Sequence, residues 1–189
     1  MRVYDFDGTI YDGDSTLDFW LYCVFRHPKT LMALFGGVFG RGLCFLGLIT
    51  KKEFKQRFYQ FLRYVPNIDL EVNRFWKRYE KKIKFWYLDQ KSSADLIISA
   101  SPEFLLKPIC SKLEVQLIAS LVDKNNGTCI SENCYGHEKV KRFGEVYPGV
   151  EIEEFYSDSI SDKPMADIAV KAFYVKGEKV VSWNVCKRK

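Results

Sequence analysis

At 189 residues, the chain is long enough for one well-filled α/β core with a modest insertion, and it is too short for two large domains. Hydrophobic residues make up 47% and aromatic residues 16% of it, which excludes a disordered chain. The net charge is +5, and residues 51–84, with eleven Lys and Arg against four Asp and Glu, predict either a solvated helical face or a surface for anions.

The first predicted strand covers residues 2–6 and carries two aspartates, Asp5 and Asp7. Residues i and i+2 of a strand point the same way, so both carboxylates face one small volume. Their repulsion there is costly unless a cation lies between them, which favours phosphate chemistry with a hard metal ion. No apolar leader precedes the strand, so we expect a cytoplasmic protein. Its six scattered cysteines are expected to be reduced thiols, without a bridge between Cys129 and Cys134.

Helical patterns fill residues 14–86, between the first strand and the next. The first helix is predicted from Asp14 onward, with Ser15 as its N-cap and His27-Pro28 as its stop. Its predicted buried face consists of Leu17, Leu21, Val24 and Phe25.

The segment 31–49 is apolar and rich in glycine. Its central Arg41 favours a buried or interfacial helical hairpin over a membrane span. Two amphipathic helices follow, one ending at Pro66 and one beginning after Asp69. Their predicted core faces are Phe54, Phe58, Phe61, Leu62 and Val65, and then Val72, Phe75, Trp76, Tyr79 and Ile83.

Strands and helices alternate from residue 95 onward. The predicted strands are 95–99, 115–121, 152–156, 172–175 and 179–183, with helices from Pro102, at 138–146 and at 164–169, and a hairpin turn at Asn126-Gly127. Such alternation predicts a mostly parallel, Rossmann-like sheet in three αβα layers, which binds ligands at the carboxyl ends of its strands. We therefore expect an α/β core of residues 1–13 and 87–189, with a small helical cap of residues 14–86.

Further candidate groups lie at or near the ends of the later strands. Ser99 ends the second strand just before a helix that starts with Pro, and such a helix N-terminus can hold a phosphate. Lys139 and Lys141 lie in the next helical segment. Asp158 and Asp162 follow the strand at 152–156. Taken singly, Ser99 is more typical of ordinary helix capping, and either lysine is typical of a charged surface.

Together, four segments resemble the four motifs of the haloacid dehalogenase superfamily, most of whose members are Mg²⁺-dependent phosphatases. The segments are Val-Tyr-Asp-Phe-Asp-Gly-Thr-Ile from residue 3, the strand ending in Ser99, Cys-Tyr-Gly-His-Glu-Lys-Val from residue 134, and Asp-Ser-Ile-Ser-Asp from residue 158. The resemblance covers essentially the whole chain. The helical insertion directly after the first motif is similar to that of the phosphoserine-phosphatase-like subclass.

The resemblance implies a phosphatase that works through an aspartyl-phosphate intermediate. Asp5 is then the nucleophile, and Asp7 is the general acid and afterwards the general base. Lys139, with Lys141 as the alternative, balances the charge of Asp5 and the phosphate. Mg²⁺ is expected to be held by Asp5, by the backbone carbonyl of Asp7 and by Asp158. Asp162 would orient metal-bound water or Lys139.

The same resemblance suggests which residues contact the substrate. Gly8, Ser99 and Ala100 are expected to bind the phosphate. Asp14, nine residues after Asp5, matches the carboxylate that binds the substrate amine in phosphoserine phosphatase. Two features depart from that enzyme: Ala100-Ser101 replaces paired glycines, and its cap arginine has no clear equivalent among Arg41, Arg57 and Arg63. His137 is expected to be a surface residue.

We therefore expect a phosphatase that acts on a small phosphorylated metabolite. A lipid-phosphate phosphatase, acting on a phosphatidylglycerophosphate-like substrate through peripheral membrane contact, is the alternative within enzymes. A non-enzymatic, basic interaction module is the alternative from another class. Asp7 favours a phosphatase over a dehalogenase, and nothing resembles a nucleic-acid-binding motif.

Overall fold

The computed structural model describes residues 1–31 and 56–183. Its strands are β1 (Arg2–Tyr4), β2 (Leu96–Pro102), β3 (Gln116–Ser120), β4 (Ile152–Ser157), β5 (Ala169–Lys176) and β6 (Lys179–Ser182). Its helices are α1 (Ser15–Arg26), α2 (Ile68–Tyr79), α3 (Phe85–Gln90), α4 (Glu103–Leu113), α5 (His137–Val146) and α6 (Lys163–Ile168). Short 3₁₀ turns cover Pro28–Leu31, Gln60–Tyr64, Glu80–Lys82 and Ile160–Asp162.

The strands form one six-stranded sheet in the order β3-β2-β1-β4-β5-β6. The first five are parallel, and β6 pairs antiparallel with β5 at the edge. The chain moves outward from β1 to β2 and β3, and then crosses to the other side of β1 for β4. Ligands bind at such a switch in direction, at the carboxyl ends of the strands. The predicted α/β, Rossmann-like class is confirmed.

Alternate residues of the central strands fill two separate cores. Val3 and Phe155 point to the side covered by α5 and α6, while Tyr4 and Tyr156 point to the side covered by α2 and α4. This alternation follows from the two-residue period of a strand. On the second side, the ring of Tyr156 lies between those of Tyr4 and Phe173, with centroid distances of 4.7 and 4.8 Å. Both faces are apolar because helices cover both.

The predicted buried face of α1 is wrong. Leu17 is 46% exposed and Phe25 is 86% exposed, whereas Phe19 and Tyr22 are buried. The ring of Phe75 on α2 lies 5.4 Å from that of Phe19 and 5.8 Å from that of Tyr22. The helix therefore turns its aromatic side inward, because these larger rings bury more apolar area than leucines do. Leu21 is also exposed and Val24 is half-buried, while Trp20 and Cys23 are buried.

A buried carboxylate joins α1 to α2. Glu71 accepts the Tyr22 hydroxyl at 3.1 Å and pairs with Arg26 at 2.7 Å and Arg74 at 3.0 Å. Burial by itself would raise the pKa of Glu71. The hydrogen bond from Tyr22 and the two guanidinium groups outweigh this effect, so the pKa lies below its usual value.

The other helical predictions agree in part. The second amphipathic segment becomes α2, capped by Asn67, with Val72, Phe75 and Trp76 buried as predicted. The segment before Pro66 tightens into a 3₁₀ turn over Gln60–Tyr64. The predicted hairpin at 31–49 lies outside the described residues, apart from residue 31. In the described part of the chain, no helix has both the length and the apolarity needed to cross a membrane.

The first strand is shorter than predicted. It ends at Tyr4, because the Phe6 carbonyl accepts the N–H groups of Ile10 and Tyr11 and the chain turns there. Cys129 and Cys134 are both thiols, as predicted.

Candidate active site

The predicted site residues meet at one edge of the sheet. β1, β2 and β4 are neighbours and run parallel, so their carboxyl ends lie together. Asp5 and Asp7 follow β1 and Asp158 follows β4, whereas Ser99 lies within β2, which continues to Pro102 and does not end at Ser99 as predicted. Lys139 reaches the same place from the first turns of α5. Because β1 and β4 are neighbours in the sheet, aspartates that are about 150 positions apart in the sequence lie at one site.

The loop after β1 depends on Gly8. The Gly8 backbone is left-handed, with a φ of +71°, and its N–H donates to the Gly13 carbonyl at 2.9 Å. A Cβ atom at this position would lie 2.0 Å from Oδ2 of Asp158. Position 8 therefore requires glycine for its backbone angle and for the space that Asp158 occupies.

Lys139 connects Asp5 and Asp162 in a buried ionic cluster. Its Nζ donates to Oδ1 of Asp5 at 2.6 Å and to Oδ2 of Asp162 at 2.8 Å. Burial disfavours the charged ammonium, but the two carboxylates outweigh burial and raise the pKa of Lys139. Burial raises the pKa of Asp5 to about 7, although the Lys139 charge opposes this rise. Lys139 is therefore a fixed positive charge beside the predicted nucleophile.

The neighbours of this cluster distinguish the two candidate lysines. The Ser157 hydroxyl donates to Oδ2 of Asp162 at 2.8 Å, so Asp162 is held from two sides. Lys141 is exposed and does not line the cavity, and His137 is exposed as well. The geometry therefore favours Lys139 over Lys141 as the partner of Asp5.

Asp7 is held by one hydrogen bond to each of its oxygens. The Ser15 N–H donates to Oδ1 at 2.6 Å, and the Ser101 hydroxyl donates to Oδ2 at 2.5 Å. Burial raises the pKa of Asp7 to about 6, and the charge of Asp14 adds to the rise, while the hydrogen bonds oppose it. A carboxyl group with such a pKa can both give and accept a proton near neutral pH.

Asp5 and Asp158 present oxygen ligands close to each other. The Thr9 hydroxyl lies 3.3 Å from Oδ2 of Asp5 and 3.4 Å from Oδ1 of Asp158. Burial and the charge of Asp162 raise the pKa of Asp158, as burial does for Asp5. Carboxylate oxygens are the hard donors that a divalent cation such as Mg²⁺ prefers, so this pair fits such an ion.

No group of three or more His, Cys, Asp and Glu side chains in residues 1–31 and 56–183 is arranged to hold a metal ion. The expected magnesium ligands are compatible with this finding. Only Asp5 and Asp158 would contribute side chains, because the ligand from Asp7 is its backbone carbonyl.

A cavity of about 650 Å³ opens onto these groups. Ser99 and Ala100 line it beside Asp5, and the Ser99 hydroxyl accepts the Ser101 N–H at 3.0 Å. Thr16, Leu17, Phe58 and Tyr59 of the helical insertion line it as well. The cavity therefore combines charged and polar groups of the core with mainly apolar side chains of the insertion.

Asp14 has a structural role that the sequence did not predict. It caps α1 in place of Ser15, because its Oδ1 accepts the Leu17 N–H at 2.9 Å. The Ser15 N–H is directed to Asp7 instead. Asp14 is nevertheless exposed and lines the cavity.

Of the candidate arginines of the insertion, the two that lie in the described residues do not line the cavity. Arg57 is exposed, and Arg63 donates to the Asn126 carbonyl at 3.1 Å. Arg41 lies outside the described residues. Among the described residues that line the cavity, Lys139 is the only cation.

Ser101 and Thr16 are among the site residues that were not predicted. Ser101 binds Asp7, and Thr16 lies 2.9 Å from Ser101 between their hydroxyl oxygens. The spacing of Ser101 to Ser99 was the available signal, since residues i and i+2 of a strand share a face. No local pattern marks Thr16, because its partner belongs to a distant strand.

The family model of haloacid dehalogenase-like hydrolases matches residues 3–167. This range contains all of the predicted site residues. No curated protein sequence matches the chain.

Three solved structures illustrate the similarity in fold. A protein of unknown function from Bordetella pertussis Tohama I has a TM-score of 0.72 and 18% identity, over 91% of this chain and 87% of its own. A phosphoserine phosphohydrolase-like protein from Francisella tularensis has a TM-score of 0.57 and 14% identity, over 91% and 86%. A substrate-bound phosphoserine phosphatase has a TM-score of 0.52 and 14% identity, over 90% and 83%. At such identities, the likeness establishes the fold.

Proposed function

The chain belongs to the haloacid dehalogenase-like hydrolases as a phosphoric monoester hydrolase, and from this premise we propose that Asp5 carries the phosphoryl group in an Mg²⁺-dependent reaction. The observation that carries the proposal is the Asp5 carboxylate, which is held at 2.6 Å by Lys139 and faces a cavity shared with Asp7. A non-enzymatic binding module would need no such pairing of a nucleophile with an acid–base group.

In the first step, an Asp5 oxygen attacks the phosphorus and the ester oxygen departs. Asp7 gives its proton to that oxygen, so the leaving group departs as an alcohol. In the second step, Asp7 takes a proton from water, and the water attacks the phosphorus of the aspartyl-phosphate. Inorganic phosphate leaves and Asp5 is restored. The pKa of about 6 for Asp7 suits both transfers.

The remaining groups stabilise the negative charge of the transferred phosphoryl group. Lys139 supplies a fixed ammonium beside Asp5, which is electrostatic stabilisation that needs no rearrangement during the reaction. The Ser99 hydroxyl and the backbone N–H group of Ala100 would bind phosphate oxygens. The Gly8 N–H is already bonded to the Gly13 carbonyl at 2.9 Å, so Gly8 would shape this loop around the phosphate and not donate to it.

Asp5, Asp158 and the carbonyl of Asp7 would hold the magnesium ion. When bound, Mg²⁺ neutralises charge on the phosphate and fixes its orientation. Asp162, through its contact with Lys139, would keep that lysine in place rather than bind the ion.

A two-part organisation, with a core of residues 1–13 and 87–189 and a cap of residues 14–86, is part of the proposal. The two connections between the parts lie side by side. The Asp12 N–H donates to the Lys82 carbonyl and the Lys84 N–H donates to the Ile10 carbonyl, both at 2.8 Å. Tyr11 and Ile83 form an antiparallel bridge between them. Two adjacent, hydrogen-bonded connections are compatible with a cap that covers the site and determines which substrate is accepted.

A small phosphorylated metabolite is the proposed substrate class, and one observation favours a lipid phosphate as the second candidate. Leu17 lines the cavity, and the exposed side chains of Leu21 and Phe25 follow it at four-residue intervals along α1. This apolar row at helical spacing could contact acyl chains or a bilayer interface. Asp14 instead favours a substrate with an amine. Turnover of phosphoserine beside a short-chain phosphatidylglycerophosphate separates these candidates.

The proposed function is tested with an aryl phosphate, with and without Mg²⁺. Asp5→Asn should abolish turnover, because the neutral amide cannot form the acyl-phosphate. Asp12→Asn is the matched control, since Asp12 lies in the same loop but is exposed and outside the cavity. Asp7→Asn should lower the rate by roughly 10²–10⁴-fold, the usual size of one proton-transfer role. Appreciable activity of a folded Asp5→Asn protein would overturn the assignment.

A further inference from the structure

A row of hydroxyl groups leads from the helical insertion to Asp7. The Ser101 oxygen lies 2.5 Å from Oδ2 of Asp7 and 2.9 Å from the Thr16 hydroxyl oxygen. Tyr59 lines the same cavity as Thr16 and Ser101. Ser101 is 5% exposed, so little of its side chain is open to water.

The single proton of each hydroxyl fixes the direction of the row. Ser101 donates to Asp7, so its oxygen can only accept from Thr16. Thr16 then donates to Ser101. Both hydrogen bonds therefore point towards the Asp7 carboxylate, an arrangement in which each bond strengthens the other.

These contacts hold Asp7 from two parts of the chain. Ser101 belongs to β2 of the core, whereas Ser15, which donates to the other oxygen of Asp7, opens α1. Thr16 lies next to Ser15 and contacts Ser101, which closes a ring of contacts around Asp7. The plane of the Asp7 carboxyl group is thereby set by the position of α1 relative to the end of β2.

We propose that Ser101 is a positioning residue that orients the Asp7 carboxyl group towards the leaving oxygen, and that Thr16 links this orientation to the seating of α1. The inference rests on the proposed acid–base role of Asp7. Ser101 itself touches neither phosphorus nor leaving group. Its effect must therefore be visible only through the proton that Asp7 delivers.

That dependence gives a selective test. A phenol with strongly electron-withdrawing groups leaves without protonation, whereas a more basic phenol needs the acid. The parameter kcat/KM covers only the steps up to the departure of the phenol, so it does not report the later role of Asp7 as a base. Ser101→Ala should therefore lower kcat/KM for phenyl phosphate by roughly 10–100-fold, a smaller loss than the roughly 10²–10⁴-fold expected when the acid itself is removed. It should lower kcat/KM for 2,4-dinitrophenyl phosphate by less than about threefold.

Two variants serve as references in this test. Ser120→Ala is the matched control, because Ser120 is also 5% exposed and binds the Ala100 carbonyl at 3.0 Å, yet does not contact Asp7. It should change kcat/KM for both substrates in equal proportion. Ser101→Thr keeps the hydroxyl and should restore much of the selective loss.

The outcomes separate the inference from the proposed function. An equal loss for both substrates in Ser101→Ala, with a selective loss in Asp7→Asn, overturns the positioning role and leaves the phosphatase mechanism intact. An equal loss in Asp7→Asn overturns both. If Ser101→Ala does not fold, Thr16→Val replaces it and must show a smaller loss that is still confined to phenyl phosphate. An equal loss in Thr16→Val would then overturn the inference.

Discussion

Replacing Gly8 by alanine should separate backbone strain from damage to the site. The new Cβ would lie 2.0 Å from Oδ2 of Asp158, whereas ordinary contact begins at 3.4 Å. The carboxylate must therefore retreat by about 1.4 Å, which is 3.4 minus 2.0 Å. A displacement of about 1 Å in a catalytic constellation can cost about 100-fold in rate. We expect a loss of at least that order in kcat/KM with an aryl phosphate.

Gly149→Ala is the matched control for this change. Gly149 has a φ of +75°, close to the +71° of Gly8, and a Cβ atom added there would meet no other part of the described chain within 4 Å. Both variants thus share the cost of a left-handed alanine, about 1–2 kcal/mol. Only Gly8→Ala also displaces Asp158.

The assay compares kcat/KM, the Mg²⁺ concentration for half-maximal activity and the free energy of unfolding in urea. Gly149→Ala should lose about 1–2 kcal/mol of stability and keep its activity. Gly8→Ala should lose activity and need more Mg²⁺. Equal activity in the two folded variants would refute the close approach of Gly8 to Asp158 as a requirement of the site.

Three further predictions concern single side chains. Lys139→Met should slow phosphoryl transfer even at saturating Mg²⁺, whereas the exposed Lys141→Met should matter little; the reverse result would show that the wrong lysine was chosen. Asp158→Ala should mainly raise the Mg²⁺ requirement in a titration of activity, and an unchanged requirement would exclude it as a ligand. Glu71 has a lowered pKa in the fold, so its stabilisation is complete above the ordinary glutamate pKa and is lost as the pH falls through the folded value. Glu71→Gln should therefore weaken the pH dependence of the unfolding free energy on the acidic side, and an unaltered dependence would contradict this role.

The fold and most of the site could be predicted because both depend on the ends of strands. Asp5, Asp7 and Asp158 follow such ends and Ser99 lies near one, and a parallel sheet brings those ends to one edge. The sequence pattern alone could not select between two lysines. Lys139 is distinguished by burial and by its distance to Asp5.

The missed features depend on contacts between distant segments. The orientation of α1 was wrong because its leucines have helical spacing, yet the aromatic residues have larger partners on α2. Lys84 is another case: its ammonium is buried and donates to the carbonyls of Gly8 and Gly177, at 2.5 and 2.8 Å. Burial lowers the pKa of Lys84. No local signal identifies a lysine that binds two loops of the core.

Trapping the covalent intermediate tests the role of Asp5 most directly. In Asp7→Asn, an aryl phosphate with an acidic phenol can still transfer its phosphoryl group, but water activation is lost and the intermediate should accumulate. Acid quenching followed by peptide mass mapping should find one phosphoryl group on the peptide that contains Asp5, with one equivalent of phenol released in a burst. Phosphorylation of another residue, or a burst without any phosphorylated peptide, would contradict Asp5 as the nucleophile.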